Sequence, residues 1–122
     1  MKSSYKVITI KSPKETLREA QEVMERLARG EKVSPRPPEY SFSSFEAFRK
    51  AMTPMRFNLL RVIRESHPKS IQELARITGR DMKNVSEDVH VLAEMELIEL
   101  EPHGRVKTPR LTCDGIRVEL AV

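Results

Sequence analysis

The second half of the sequence carries closely spaced helix starts and stops, and this spacing most constrains the fold. Thr53-Pro54 is typical of a helix start, because threonine caps and proline suits the first helical position. Ser70 begins a capping box for a second helix of barely two turns, which Gly79 ends. Asp81 then caps a third helix. The sequence therefore predicts three helices, with a tight glycine turn between the second and the third.

After the third helix the pattern changes to that of strands. Residues 97–101 alternate apolar and polar side chains, residues 102–105 have turn composition, and residues 106–112 return as a second strand. Residues 116–122 predict a last strand. Three helices followed by a β-hairpin make the winged helix-turn-helix layout. The predicted fold class is therefore mainly α with a β-hairpin wing (α+β).

An N-terminal strand–helix extension precedes this layout. Residues 5–10 are β-branched and alternate weakly, which predicts a short strand. Ser12-Pro13 is typical of a helix start, and Gly30 ends that helix. Three prolines in residues 31–41 exclude a helix or a central strand there. The predicted organisation is a strand and helix over 1–30, a proline-stiffened linker over 31–41 and a winged helix-turn-helix domain over 42–122.

The N-terminal third is too polar to make a core of its own, so its apolar stripes need a surface. That surface is the rest of the chain, a second subunit or a different protein, and we predict a homodimer built by this part. The predicted interface consists of Leu17, Val23, Met24 and Leu27 on the first helix and of Phe42, Phe45 and Phe48 at helical spacing after the linker.

The third helix has a hydrophilic side opposite Val85, Val89 and Leu92. Lysine can bind phosphate or guanine, asparagine can pair with adenine, and glutamate can accept from cytosine N4. The acids Glu87 and Asp88 repel phosphate, so they fit selective base reading or no DNA contact. An ordinary solvated helix face is the alternative. The predicted DNA-reading residues are Lys83, Asn84, Ser86, Glu87 and His90.

Charge is segregated along the predicted hairpin. Residues 103–112 contain Arg105, Lys107 and Arg110 and no acid, whereas residues 94–101 contain only acids among their charged residues. A basic hairpin tip beside a helix-turn-helix is suited to phosphate contacts. Ser70, at the start of the second helix, could also donate to a phosphate, although capping is its alternative role.

Enzyme, metal, cofactor and membrane classes find little support. The single Cys113 excludes a disulfide framework and a cysteine zinc site, and His67, His90 and His103 are scattered without a metal-binding spacing. No nucleophile elbow, phosphate loop or zinc-protease motif occurs. We therefore predict no catalytic residue, no metal and no cofactor. No apolar run suits a membrane span or a signal peptide, so a reducing cytoplasm is expected.

Several short motifs are familiar, namely Thr53-Pro54, Ser70-Ile71-Gln72-Glu73-Leu74-Ala75, Gly79-Arg80-Asp81, Lys83-Asn84-Val85, Asp88-Val89 and the basic hairpin ending in Pro109-Arg110. With them, residues 41–120 resemble a family of small prokaryotic DNA-binding proteins, MarR-like winged-helix regulators. The resemblance implies a transcriptional regulator, some relatives being antitoxins of toxin–antitoxin pairs. It implies recognition roles for Arg80, Lys83, Asn84, Ser86 and His90 and wing roles for Arg105 and Lys107. Glu96 departs from the family pattern, which usually has glycine there.

Two functions follow from these observations. The first is a sequence-specific double-stranded DNA-binding transcriptional regulator, acting as a repressor, with autoregulation of a toxin–antitoxin operon as one form. The second is a protein-interaction module that neutralises a toxin or serves as a scaffold, with little or no DNA binding. The acid-rich stretch at residues 94–101 and the modest net charge of +4 favour the second.

Overall fold

A computed structural model describes residues 4–34 and 40–122, and over them the chain has an α+β fold. Residues 35–39, which hold the prolines of the predicted linker, lie outside the described residues. In chain order the elements are β1 (Tyr5–Ile10), α1 (Pro13–Ala28), β2 (Tyr40–Phe42), α2 (Phe45–Ala51), α3 (Pro54–Ser66), α4 (Ile71–Thr78), α5 (Met82–Glu94), β3 (Ile98–His103), β4 (Val106–Leu111) and β5 (Gly115–Leu120).

Side-chain caps begin the helices where the sequence predicts them. The hydroxyls of Ser12, Thr53 and Ser70 each accept a hydrogen bond from the backbone N–H three residues later. The Asp81 carboxylate accepts from the Lys83 N–H. Each cap supplies a partner to an N–H that lacks one within the helix, which is why the predicted starts are confirmed.

Helices α3, α4 and α5 pack together around one apolar cluster. Leu59, Leu74, Val85, Val89 and Leu92 are completely buried there. Met95, Leu97 and Ile98 extend the cluster from the end of α5 into β3. The 3–4 residue spacing of these side chains places them on the inner faces of the helices.

The hairpin β3–β4 is antiparallel, with Ile98 opposite Leu111 and His103 opposite Val106. Gly104 lies in the turn with φ of +64°, a conformation that glycine adopts without a steric penalty. The predicted hairpin is therefore confirmed.

A parallel sheet with the order β2–β1–β5 joins the two ends of the chain. β1 pairs with β5 from Tyr5↔Gly115 to Ile10↔Leu120, and with β2 from Ile8↔Tyr40. Ile8 is completely buried in the same cluster as the helices. The N-terminal strand thus contributes to the core of the helical part, and residues 115–120 form the predicted last strand.

Strand β2 was not predicted, and it begins within the linker predicted over residues 31–41. Phe42 lies in β2, pairs with Ile10, and packs its ring edge-on to Phe48 with the centroids 5.6 Å apart. Phe42 and Phe48 both lie against the core, whereas Phe45 is exposed. Of the surfaces considered for this stripe, the rest of the chain therefore covers part of Phe42 and Phe48, and their role in an intermolecular interface stays a prediction.

Helix α1 has no buried residue among its 16. Its predicted stripe of Leu17, Val23, Met24 and Leu27 is exposed, with Met24 at 69%. Near the start of α1, Lys11 and Glu19 form an ion pair of 2.8 Å. No other described residue covers the stripe enough to bury it.

Within the described residues, no helix is long and apolar enough to cross a membrane.

Three helices end in the same backbone arrangement, with one residue in the left-handed region. At the end of α4, the Gly79 N–H donates to Arg76 and the Arg80 N–H to Ala75. Helix α1 ends in the same way at Gly30. At the end of α5 the residue is Glu96, with φ of +61°. Glycine would adopt this conformation at residue 96 without the steric penalty that glutamate has there.

Candidate nucleic-acid interface

Helix α5 divides into a buried side and a hydrophilic side. Lys83, Asn84, Glu87 and His90 are exposed, and Ser86 is half-buried. The opposite side of the helix is sealed in the core by three completely buried residues. The structure therefore brings all five predicted reading residues of α5 onto one accessible side.

His90 is oriented by its own helix. Its Nδ1 lies 2.6 Å from the Ser86 carbonyl oxygen, which can only accept, so Nδ1 carries the proton. In the neutral ring, Nε2 is then an acceptor. This contact gives the exposed ring a defined hydrogen-bonding edge.

Asp88 holds α5 through two arginines. Its carboxylate accepts from Arg56 Nε at 2.9 Å and from Arg80 Nη2 at 2.7 Å, and its side chain is only 13% exposed. Arg56 comes from α3, and Arg80 from the turn between α4 and α5. Charge-assisted hydrogen bonds of this kind are strong when water is partly excluded. The bridge therefore holds the middle of α5 against α3 and against the turn that precedes α5.

This bridge changes two predictions. Arg80 was predicted to contact DNA, but its guanidinium is 18% exposed and occupied by Asp88, so it is a positioning residue. Asp88 likewise lies in the bridge, away from the hydrophilic side of α5. Of the two acids predicted to repel phosphate, Glu87 alone is exposed.

The hairpin mixes the charges that the sequence separates. Its register places Glu99 opposite Arg110, and Arg110 also forms an ion pair with Glu101. Glu101 thus partly compensates the charge of Arg110, whose side chain is still 59% exposed, and its phosphate contact stays a prediction. Arg105 and Lys107 are exposed and form no ion pair with any described residue. They are the available cations of the hairpin.

The hairpin adjoins the start of α4. Thr108 Oγ1 donates to the Lys69 carbonyl at 2.7 Å, which holds β4 beside the residue that precedes the helix. Ser70 Oγ accepts from the Glu73 N–H at 3.0 Å and so acts as a cap. The exposed Lys69 is thereby brought near the cations of the hairpin, which its distance along the sequence does not indicate.

An open cleft of about 620 Å³ lies between the end of α3 and the hairpin. Arg64, His67 and Lys69 line one side, and His103, Thr108 and Arg110 line the other. Sequence reasoning missed this basic cleft because its two sides are far apart along the chain.

Two exposed apolar side chains flank the turn between α4 and α5. Ile77 and Met82 lie on either side of Gly79, and about half of each is exposed. Met82 has the spacing of the buried residues of α5, but it is the first residue of the helix and is exposed, whereas Val85 is completely buried. Apolar side chains at such a position can contact the thymine methyl group.

The described residues contain no group of three or more histidine, cysteine or acidic side chains that could hold a metal ion. Cys113 is a free, half-buried thiol.

The model of one protein family, HVO_A0114, matches residues 51–118, which is more than half of the chain. The matched segment begins at the end of α2 and ends within β5. It contains α5, the Asp88 bridge and the hairpin. No curated protein is significantly similar to the chain.

Proposed function

The chain belongs to the HVO_A0114 family, and we propose that it is a sequence-specific double-stranded DNA-binding transcriptional regulator of the winged helix-turn-helix type, acting as a repressor. The observation that carries this proposal is the division of α5. One side is completely buried, the other is polar and accessible, and two unpaired hairpin cations belong to the same compact part of the chain.

In this proposal, α4 and α5 are the helix-turn-helix and the β3–β4 hairpin is the wing. An α-helix with its side chains is about 10–12 Å wide, which matches the major groove of about 12 Å. A reading helix must keep its orientation while its polar side meets the bases. The Asp88 bridge supports this role, because it ties the middle of α5 to α3 and to the turn.

The exposed side chains divide into two groups. Asn84, Glu87 and Lys83 have the donors and acceptors that read base edges, and His90 offers an oriented ring. Arg105, Lys107 and Lys69 are cations without base specificity, suited to phosphates. This division predicts two separable effects of mutation, one on sequence preference and one on overall affinity.

The first experiment selects bound duplexes from a random pool. It then measures how the affinity for the most enriched duplex depends on salt concentration. Arg105→Ala or Lys107→Ala should weaken binding to every sequence and lower the slope of log K against log salt by about one. The matched control is Lys14→Ala, which removes one exposed positive charge from α1 and should leave the slope unchanged.

Asn84→Ala tests the reading helix. It should relax the preference at one base position, at a cost of about 1–3 kcal/mol, with an unchanged salt slope. Equal weakening of all sequences by Asn84→Ala and Lys107→Ala would contradict α5 as the reader. No binding to any duplex at low salt would contradict the proposal as a whole.

A second candidate function is a protein-interaction module, and one observation favours it. The apolar stripe of α1 is exposed along the whole helix. A toxin protein is one partner that such a stripe could bind, as the resemblance to MarR-like regulators implies. The regulator and the interaction module coexist in an antitoxin that represses its own operon. Recovery of a stable complex through α1, without any DNA binding, would favour the second function alone.

A further inference from the structure

Strand β5 is an open edge of the parallel sheet in the described part of the chain. It pairs with β1 on one side, and the order β2–β1–β5 leaves its other side free. Val118 is 44% exposed and Leu120 is 54% exposed. An uncovered edge strand with apolar side chains is a template for pairing with another strand.

The outward backbone groups of β5 can be identified. The Ala121 N–H donates to the Ile10 carbonyl at 3.1 Å, so Ala121 points its backbone groups toward β1. Backbone direction alternates along a strand, so Arg117 and Glu119 also point toward β1. Ile116, Val118 and Leu120 therefore point their N–H and C=O groups toward the free side.

We propose that β5 pairs antiparallel with β5 of a second copy, with the two-fold axis midway between Val118 and the partner's Val118. In this register the outward N–H and C=O of Val118 bond to those of the partner's Val118. Ile116 and the partner's Leu120 form the next hydrogen-bonded pair. The result is a continuous six-stranded sheet without an open β5 edge.

Charge selects this register. It places Arg117 opposite the partner's Glu119 and Glu119 opposite the partner's Arg117, in pairs whose side chains lie close together. A register centred on Arg117 or on Glu119 would place two like charges opposite each other. Neither residue forms an ion pair with a described residue of its own chain, although Arg117 lies over the Tyr5 ring at 5.8 Å. Both charges are therefore available to a partner.

In this dimer, the helices α3, α4 and α5 of both copies, called here the helical body of each copy, lie on the same side of the sheet. Val118 is paired with Ile8, whose side chain is in the core, so Val118 projects on the same side as the body. A two-fold axis perpendicular to the sheet keeps the second body on that side. Two copies of α5 would then approach two half-sites of a palindromic duplex. Only this last step depends on the proposed function.

The association is measured without DNA, so its failure is distinguishable from failure of DNA binding. Light scattering of the full chain should give twice its mass of 14.1 kDa, with dissociation on dilution. If the chain is still a strict monomer at about 100 µM, the dissociation constant of the dimer is higher than that concentration. This result would overturn the proposal. The open edge of β5 would then be a candidate for pairing with a different protein.

Charge reversal tests the register. Arg117→Glu and Glu119→Arg should each raise the dissociation constant about tenfold or more, because two attractive cross-strand pairs become repulsive. Mixed in equal amounts, the two variants should form a heterodimer with affinity near that of the native chain, since each glutamate then faces an arginine. A mixture as weak as the separate variants would overturn the register.

Val118→Pro tests the edge itself. It removes an N–H that points away from β1, so pairing with β1 is retained while pairing with the second copy is lost. Thermal unfolding checks that the variant is folded. Met24→Ser, on the exposed stripe of α1, is the control and should leave the dimer unchanged. Loss of the dimer in Met24→Ser, but not in the β5 variants, would overturn the proposal in favour of α1.

Discussion

Helix α5 and helix α1 are both amphipathic, but their apolar faces have different surroundings. The apolar side of α5 is completely buried by α3, α4 and the hairpin. The apolar side of α1 is exposed over its whole length. All of the core cluster except Ile8 comes from residues 59–98. A helical period therefore indicates a face that favours burial, but it does not indicate whether the same chain supplies the cover.

The largest expected effect separates these two helices. Leu92→Ala removes a completely buried side chain of α5 and should lower the free energy of unfolding by about 2–5 kcal/mol. Leu27→Ala, on α1, should change it by less than about 0.5 kcal/mol, because Leu27 is exposed. Urea unfolding followed by circular dichroism measures both. Similar losses would contradict the difference between the helices.

Ile8→Ala tests whether strand β1 unfolds together with the core around α5. Ile8 is completely buried in the same cluster as α5, so we expect a loss of about 2–4 kcal/mol with unfolding still in a single transition. A separate early transition at lower urea would indicate that the sheet unfolds independently of the helical body.

Asp88→Asn tests what holds α5 in place. The change removes the negative charge that Arg56 and Arg80 share, in a site that is about four-fifths buried. We expect a loss of about 2 kcal/mol, less than for a fully buried pair because water still reaches the site. Glu87→Gln is the matched control, one residue earlier but exposed, and should be neutral. Thermal unfolding of both variants gives the comparison.

The smallest effects concern the helix ends. Gly79→Ala should lower stability by about 1–2 kcal/mol, because alanine is strained at positive φ. Glu96→Gly should raise it by about 0.5–1 kcal/mol after relief of the same strain. The gain is limited by loss of the 2.6 Å ion pair with Lys6. Destabilisation by Glu96→Gly would show that this ion pair outweighs the strain.

Local chemistry explains what the sequence predicted well. Serine, threonine and aspartate caps, glycine at left-handed positions and two-residue alternation all act over a few neighbouring residues. Helix starts at residues 12, 53, 70 and 81 and the hairpin were predictable for this reason. The reading side of α5 was predictable too, since residues 85, 89 and 92 define its buried side by periodicity alone.

The residues whose surroundings the sequence did not predict have partners in a different element of the fold. Arg80 has the composition of a DNA contact, and only the approach of Asp88 and Arg56 makes it a positioning residue. Arg110 gains an ion-pair partner because the hairpin brings Glu101 to it. Phe42 has helical spacing to Phe45, but parallel pairing with β1 makes it part of a strand.

By itself, the sequence determined the starts of the long helices, the hairpin and the buried side of α5, since these depend on residues within one or two turns of each other. Tertiary structure decided which charges remain available and which apolar faces remain uncovered. Burial and ion pairing depend on the distance between atoms in space, and β1 meets β5 across more than a hundred residues of chain.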